Sequence, residues 1–191
     1  MIKYFLVSIM FFCFSSLMAV EQRPYSVISQ LQDHIEIRHY QAVSMAEVTI
    51  QGSRDEAASA AFRRLFAYIR GKNARDEKIA MTAPVSQTLA SNNRWNICFF
   101  LPQSLAKKTA PSPTDNDIRI IDIQPCTLAA IRFKGKGAEK DLQKNQNELY
   151  QELTKAGYLF EKKPMYAFYN APFVPGFLRR NEVLVPITKK P

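Results

Sequence analysis

The chain has 191 residues, 47% of them apolar and 23% charged, which excludes a disordered, collagen-like or multi-span membrane protein and describes one globular domain able to bury a core without metals or disulfides. Its 26 Lys and Arg outnumber 17 Asp and Glu by nine, and without the first 19 residues, whose sole charge is Lys3, the excess is +8. That excess favours anionic partners, but no run of Lys or Arg exceeds two, so nucleic acid is not an expected partner. Two histidines without HxxxH or CxxC spacing argue against a zinc site.

The N-terminus has the layout of a secretory signal peptide: Lys3, an apolar stretch over 4–14 broken by Ser8, and small residues ending at Ala19 before Glu21. The apolar run is too short for a stable membrane span, which takes roughly 20 residues. Cleavage after Ala19 leaves a domain of residues 20–191 in the periplasm or outside the cell. Cys13 departs with the leader. Cys98 and Cys126 remain, either as a disulfide closing a loop of about 28 residues or as two buried thiols.

Residues 35–50 are rich in β-branched side chains and read as one long or bent strand. A helix follows over 53–70, opened by the capping box Ser53 and Glu56, with Ala58, Ala61, Phe62, Leu65, Phe66 and Ile69 as its apolar face and Gly71 as its stop. Strands are expected over 79–85 and 95–101. The polar stretch 103–117, with Pro111 and Pro113, reads as a linker. The order then recurs: a strand region over 118–133 interrupted at Gln124 and Pro125, a helix over 138–156 with Leu142, Leu149 and Leu153 inward, and strands over 165–169 and 182–187. Matching elements start 83, 85, 86 and 87 residues apart, which predicts an internal duplication with pseudo-repeats near 33–102 and 118–188. The expected fold class is α+β, one domain whose halves share a sheet or barrel with two helices outside. The cleft between the halves is the default ligand site.

Three segments are hard to explain as generic strands: 35–40 (IEIRHY), 78–85 (KIAMTAPV), where Pro84 removes a ladder donor, and 170–183, with Asn170, Ala171, Pro172 and then Arg179, Arg180, Asn181 and Glu182. Together they resemble the SOUL haem-binding protein family, over nearly all of the chain after the leader. The resemblance implies a duplicated β-α-β-β unit forming a distorted antiparallel or mixed β-barrel with two flanking helices. It also implies binding of haem or another tetrapyrrole without enzymatic activity.

In the strand, Ile35, Ile37 and His39 share one face. The resemblance places a haem-ligating histidine at His39, pointing towards an apolar cleft; otherwise His39 makes ordinary strand hydrogen bonds, and His34 is solvated. On the first helix, Phe62 and Phe66 supply either apolar contact to a tetrapyrrole or core packing, and Arg63 or Arg64 would meet a propionate, although the relatives' basic residue falls nearer Ser59. Met81 is a core residue or, alternatively, a second axial ligand. The loop containing Phe173 and Phe177 suits a rim or lid over a hydrophobic ligand. Arg179 and Arg180 read either as a carboxylate clamp or as ion-pair donors to Glu182.

The resulting expectation is non-enzymatic binding of haem or a related tetrapyrrole in the cell envelope. The alternatives are another amphipathic small molecule, as in effector-binding domains, or an interaction module whose Phe173 and Phe177 dock a partner or membrane. If the leader is cleaved as proposed, the intact mass of protein recovered from the envelope matches a chain starting at Val20; a full-length cytosolic product contradicts it.

Overall fold

The computed structural model describes residues 20–91, 93–105 and 109–189; residues 1–19, where a leader with Cys13 is expected, lie outside the described residues. In chain order the elements are β1 (Glu21–Gln22), β2 (Tyr25–Gln32), β3 (Ile35–Tyr40), β4 (Val43–Gln51), α1 (Arg54–Ile69), β5 (Thr82–Ala83), β6 (Val85–Ser91), β7 (Arg94–Phe100), β8 (Arg119–Ile123), β9 (Cys126–Phe133), α2 (Glu139–Lys155), β10 (Leu159–Phe160), β11 (Met165–Phe168) and β12 (Asn181–Lys189). Helix α1 starts where the capping box puts it, Ser53 accepting from the Glu56 amide while the Glu56 carboxylate accepts from the Ser53 amide.

Ten strands form one antiparallel sheet, curled into an open half-barrel, in the order β2-β3-β9-β12-β11-β6-β7-β4-β8, with β10 joined to β12. Strand β1 pairs in parallel with β5. The single strand expected over 35–50 is two strands with different destinations. Strand β3 precedes β4 in the chain yet pairs with β9, and β8 precedes β9 yet pairs with β4. Each half therefore supplies a strand to the other, and neither completes its hydrogen bonds alone.

Both helices lie on one face of the sheet. Helix α1 covers β4 and β7, burying Ala57, Ala61, Leu65, Tyr68 and Ile69, while α2 covers β9 and β12 through Leu142, Leu149 and Leu153. Trp95 packs against both helix-side clusters, which places them on a common face. The segment expected as a strand over 79–85 is split: Ile79 and Met81 pack in coil against the α1 cluster, Thr82 and Ala83 pair with β1, and β6 starts after Pro84, which has no N–H to give a ladder. The linker over 103–117 is tied down, with the Tyr68 hydroxyl donating to the Pro111 carbonyl at 2.9 Å and Arg64 Nε donating to Asp115 Oδ2 at 2.7 Å.

The opposite face carries buried charge. Arg38 on β3 donates from Nη1 to Glu182 Oε2 on β12 at 2.8 Å and to the Tyr40 hydroxyl at 3.0 Å, and from Nε to Glu36 at 2.6 Å. Glu182 is fully buried and also accepts from Arg180 Nη2 at 2.8 Å and the Tyr169 hydroxyl at 2.8 Å. Arg23, just after β1, lies over the Tyr40 ring at 5.0 Å and donates to the Gln41 carbonyl at 2.8 Å, so the N-terminal segment straps this face.

The cysteine bridge is corrected: Cys98 and Cys126 are free. Cys98 sits on β7 with its thiol 3.6 Å from Glu47 Oε2, whereas Cys126 sits on β9 beside Arg23. The two strands are four steps apart in the sheet order, roughly 19 Å at ~4.8 Å per step along the sheet, while a disulfide needs Cα atoms within about 7 Å. Burial foremost, and then the Glu47 carboxylate, push the Cys98 thiol well above its ordinary range.

Burial alone would raise the Glu182 pKa, but the hydrogen bonds and charges of Arg38 and Arg180 outweigh it and hold the carboxyl below its ordinary value of 4.5. A depressed carboxyl contributes stability that is present above the unfolded pKa and lost as pH falls through the folded one. Glu182→Gln, which removes the buried carboxylate and leaves Arg38 with Glu36 as its remaining counter-charge, is expected to cost about 3 kcal/mol at neutral pH. In thermal melts the gap between parent and variant should narrow as pH falls below the ordinary carboxyl range; a constant gap would contradict this account.

Candidate functional site

A groove of about 430 Å³ runs on the helix face between α1 and the loop that joins β11 to β12. Helix α1 presents Ala58, Ser59 and Phe62 to it, the i, i+4 spacing of Ala58 and Phe62 setting them on one side of the helix. The floor comes from Val85 and Gln87 on β6 and Phe168 on β11, adjacent strands in which Val85 pairs with Phe168. Asn170 and Pro172 close the loop side, and Lys136 and Arg179 complete the rim.

Phe62 misses the core because Ala61 and Leu65 occupy the strip facing the sheet. It remains 38% exposed, stacked on Phe66 with centroids 5.6 Å apart and edge-on to Phe99 at 5.2 Å. Phe66 is 41% exposed. The expected apolar face of α1 is thus rotated: Ala57 and Tyr68 are buried, and both phenylalanines face outward beside the groove. Two adjacent exposed aromatic rings on an otherwise well-packed helix are unspent apolar surface.

Phe168 is fixed from two sides. Gly137 has a φ of 72°, and a β-carbon there would stand 2.5 Å from the Phe168 ring, so no other residue allows this ring position. The Arg54 guanidinium lies 5.7 Å over the same ring while donating to Gln87 Oε1 at 3.0 Å and the Gly137 carbonyl at 3.2 Å. Arg179 braces the loop by donating from Nε to the Val174 carbonyl at 2.6 Å and from Nη2 to the Pro172 carbonyl. Both of these partners are neutral carbonyls, and among the described residues no carboxylate pairs with it. The groove lining holds two cations and no carboxylate. Such a surface suits a flat molecule with an apolar body and anionic substituents.

The family model for the SOUL heme-binding protein matches residues 20–186. The chain belongs to the SOUL heme-binding protein family. Heme-binding protein 2 of Homo sapiens is 31% identical over 156 residues, covering 78% of this chain and 75% of the relative. Heme-binding protein 1 of Mus musculus is 27% identical over 136 residues, covering 68% and 70%. Among solved structures, the C-terminal domain of EcmrR superposes with a TM-score of 0.64 at 12% identity over 87% of this chain and 99% of that one, and a hydrolase from Listeria innocua with 0.59 at 10% identity over 82% and 93%. At such identities the likeness shows the fold alone.

In this SOUL chain the residues singled out from the sequence separate into groups. Phe62 and Arg179 meet in the groove, with Phe66 stacked behind Phe62. Arg63 does not join them: it lines an adjoining hollow with Ile50 and Ala60, because it follows Phe62 by one residue, a turn of about 100°. Arg64 pairs with Asp115 and Asp117, and Arg180 with Glu182. Phe173 and Phe177 stand outside the groove at the loop tip. His34 pairs with Glu148 at 2.8 Å.

The expected orientation of His39 is corrected. It shares the face of Ile35 and Ile37 as the alternation requires, but those two are buried beside α2 residues whereas His39, at the end of the strand, is exposed. Its strand lies three steps from β11 in the sheet order and His39 does not line the groove. Met81 packs against the α1 cluster. Among the described residues no group of three or more His, Cys, Asp or Glu is placed to hold a metal ion. Sequence reasoning missed Phe168, Gln87, Lys136 and the glycine at 137, since these come together only through the pairing of β6 with β11 and the turn before α2. The closest signal was the KGKG run over 134–137, two cations alternating with glycines.

Proposed function

We propose that this chain binds haem or a related tetrapyrrole in the groove between α1 and the 170–179 loop, without catalysing a reaction, in the periplasm or outside the cell. The observation that carries this reading is the pairing of Phe62 and Phe168 as apolar walls with Lys136 and Arg179 as cations in one carboxylate-free groove. Membership of a family whose relatives carry the name heme-binding protein supports it. A porphyrin has two apolar faces and anionic propionates along one edge. The groove matches both features, and its volume of about 430 Å³ lies within the usual range of roughly 300–1,000 Å³ for small-molecule sites.

The iron is a separate matter from the macrocycle. His34 is engaged by Glu148 and His39 lies on the outer part of β3, so the proposal rests on apolar contact and propionate pairing rather than on axial ligation from either histidine. The export part of the proposal rests on the leader pattern.

Titration with haem, followed by the Soret band, tests the proposal. The parent should bind at micromolar concentration with a shifted band, and Phe62→Ala should weaken binding about tenfold through the lost apolar contact. Lys136→Gln, at an exposed position that forms no ion pair among the described residues, should weaken it about threefold to fivefold through the lost charge on the ligand's anionic edge. His39→Ala should keep the parent's affinity and spectrum. A parent that fails to bind overturns the tetrapyrrole reading and favours another amphipathic anion in the same groove. Loss of the spectrum in His39→Ala with Phe62→Ala unaffected would move the site to β3.

A further inference from the structure

The loop beyond the groove has a surface that ligand binding does not use. Phe173, Phe177 and Leu178 are 88%, 69% and 62% exposed, yet the backbone that carries them is firmly held. The Val174 amide donates to the Ala171 carbonyl at 3.0 Å, the Leu178 amide to Pro175 at 2.9 Å, and the Arg179 amide to Gly176 at 3.0 Å. The Gly135 amide donates to the Gly176 carbonyl at 3.0 Å, locking the loop onto the turn before α2. Three large apolar side chains are thus projected into water by a braced scaffold.

The segments that form this tip carry cations, with Asp141 Oδ2 beside Gly135 at their edge. Residues 168–180 and the adjoining 132–138 contain Arg132, Lys134, Lys136, Arg179 and Arg180 and no Asp or Glu. Arg132 and Arg180 are committed to Glu182. Lys134 and Lys136 are exposed and, among the described residues, form no ion pair. Apolar side chains at a protruding tip with cations at its base form an interfacial anchor: the apolar groups enter the acyl boundary and the cations meet head-group phosphates. No helix among the described residues is long and apolar enough to cross a membrane, so attachment through this surface would be peripheral.

We infer that the 172–178 tip docks this protein on anionic lipid bilayers, with Phe173, Phe177 and Leu178 inserted and Lys134 and Lys136 against the head groups. The charge complementarity and the protruding shape favour a bilayer over a protein partner, whose grooves would have to match a convex tip. Pro172 and Arg179 of this loop, and Lys136 beside it, also line the groove, so docking sets the groove mouth at the lipid surface. The inference stands without any bound ligand.

Co-sedimentation of ligand-free protein with vesicles of phosphatidylcholine, alone or mixed with phosphatidylglycerol, tests it. The parent should partition onto both and more strongly onto the mixed vesicles. Phe173→Ala/Phe177→Ala should lower partitioning about tenfold or more on both, through lost apolar burial. Lys134→Gln/Lys136→Gln should lower it about tenfold on the mixed vesicles alone, from the loss of about fivefold or less per cation. All variants share one N-terminus, so any leader contribution cancels in the ratios, and unchanged melting temperatures verify folding. A Phe177→Trp probe should shift to the blue and be quenched by brominated lipid. A parent that stays in the supernatant, a double phenylalanine variant that sediments like the parent, or an unquenched Trp probe overturns the inference; the first of these would leave an acidic protein as the partner of the tip.

Discussion

The ion pair between Arg38 and Glu182 organises the sheet. The two residues stand on strands β3 and β12, on either side of β9, and the register sets them diagonally across Ala130, whose small side chain leaves the guanidinium room to reach the carboxylate. Strand β3 belongs by chain order to the first half and β12 to the second, so the pair fastens the crossing on which the shared sheet depends. Burying these charges alone would be severely unfavourable. They are tolerated because the Tyr40 and Tyr169 hydroxyls, Glu36 and Arg180 fill most of the remaining hydrogen-bonding capacity of the pair. The same environment moves the tyrosines: burial pushes the Tyr40 hydroxyl up to about 12, with Arg38 acting in the opposite sense.

Filling the opposite face in this way leaves the helix face to form the groove. Over the central strands β6 and β11 neither helix covers the sheet fully, and the gap between α1 and the loop before β12 becomes the groove. Its shape depends on details that look incidental in isolation: the missing β-carbon at Gly137, the Arg54 guanidinium over Phe168, and the carbonyl contacts of Arg179. The loop then serves two surfaces, giving Pro172 and Arg179 to the groove and turning Phe173, Phe177 and Leu178 outward.

Features set by local chemistry were legible in the sequence. The capping box at Ser53 and Glu56, the leucine stripe of α2 and the break at Gln124 and Pro125 each follow from residues near one another in the chain, and each lies where expected. What depended on partner choice between distant strands was not legible. The 35–50 segment reads as one strand because nothing at Gln41 or Ala42 announces that β3 pairs across to β9 and β4 to β7. Strand β2 escaped notice since most of its side chains are exposed, leaving little alternation to read. Phe62 and Phe66 fit the helical stripe as well as the true core residues do; only the position of α1 over β4 and β7 decides which side is buried. Alternation gave the face of His39 correctly but not how far along that face the cover of α2 extends, and that extent decides its exposure. Cys98 and Cys126 flank the linker in sequence, while the linker leads to the far edge of the sheet before the chain returns through β9.

The location of the ligand is the central claim, and paramagnetic broadening of backbone amide signals by haem measures it directly. Haem in the groove should broaden the amides of Ala58, Ser59, Phe62, Phe168 and Asn170 while those of β3 around His39 stay sharp. Broadening centred on His39 and its neighbour Thr127, with the α1 amides intact, would contradict the account.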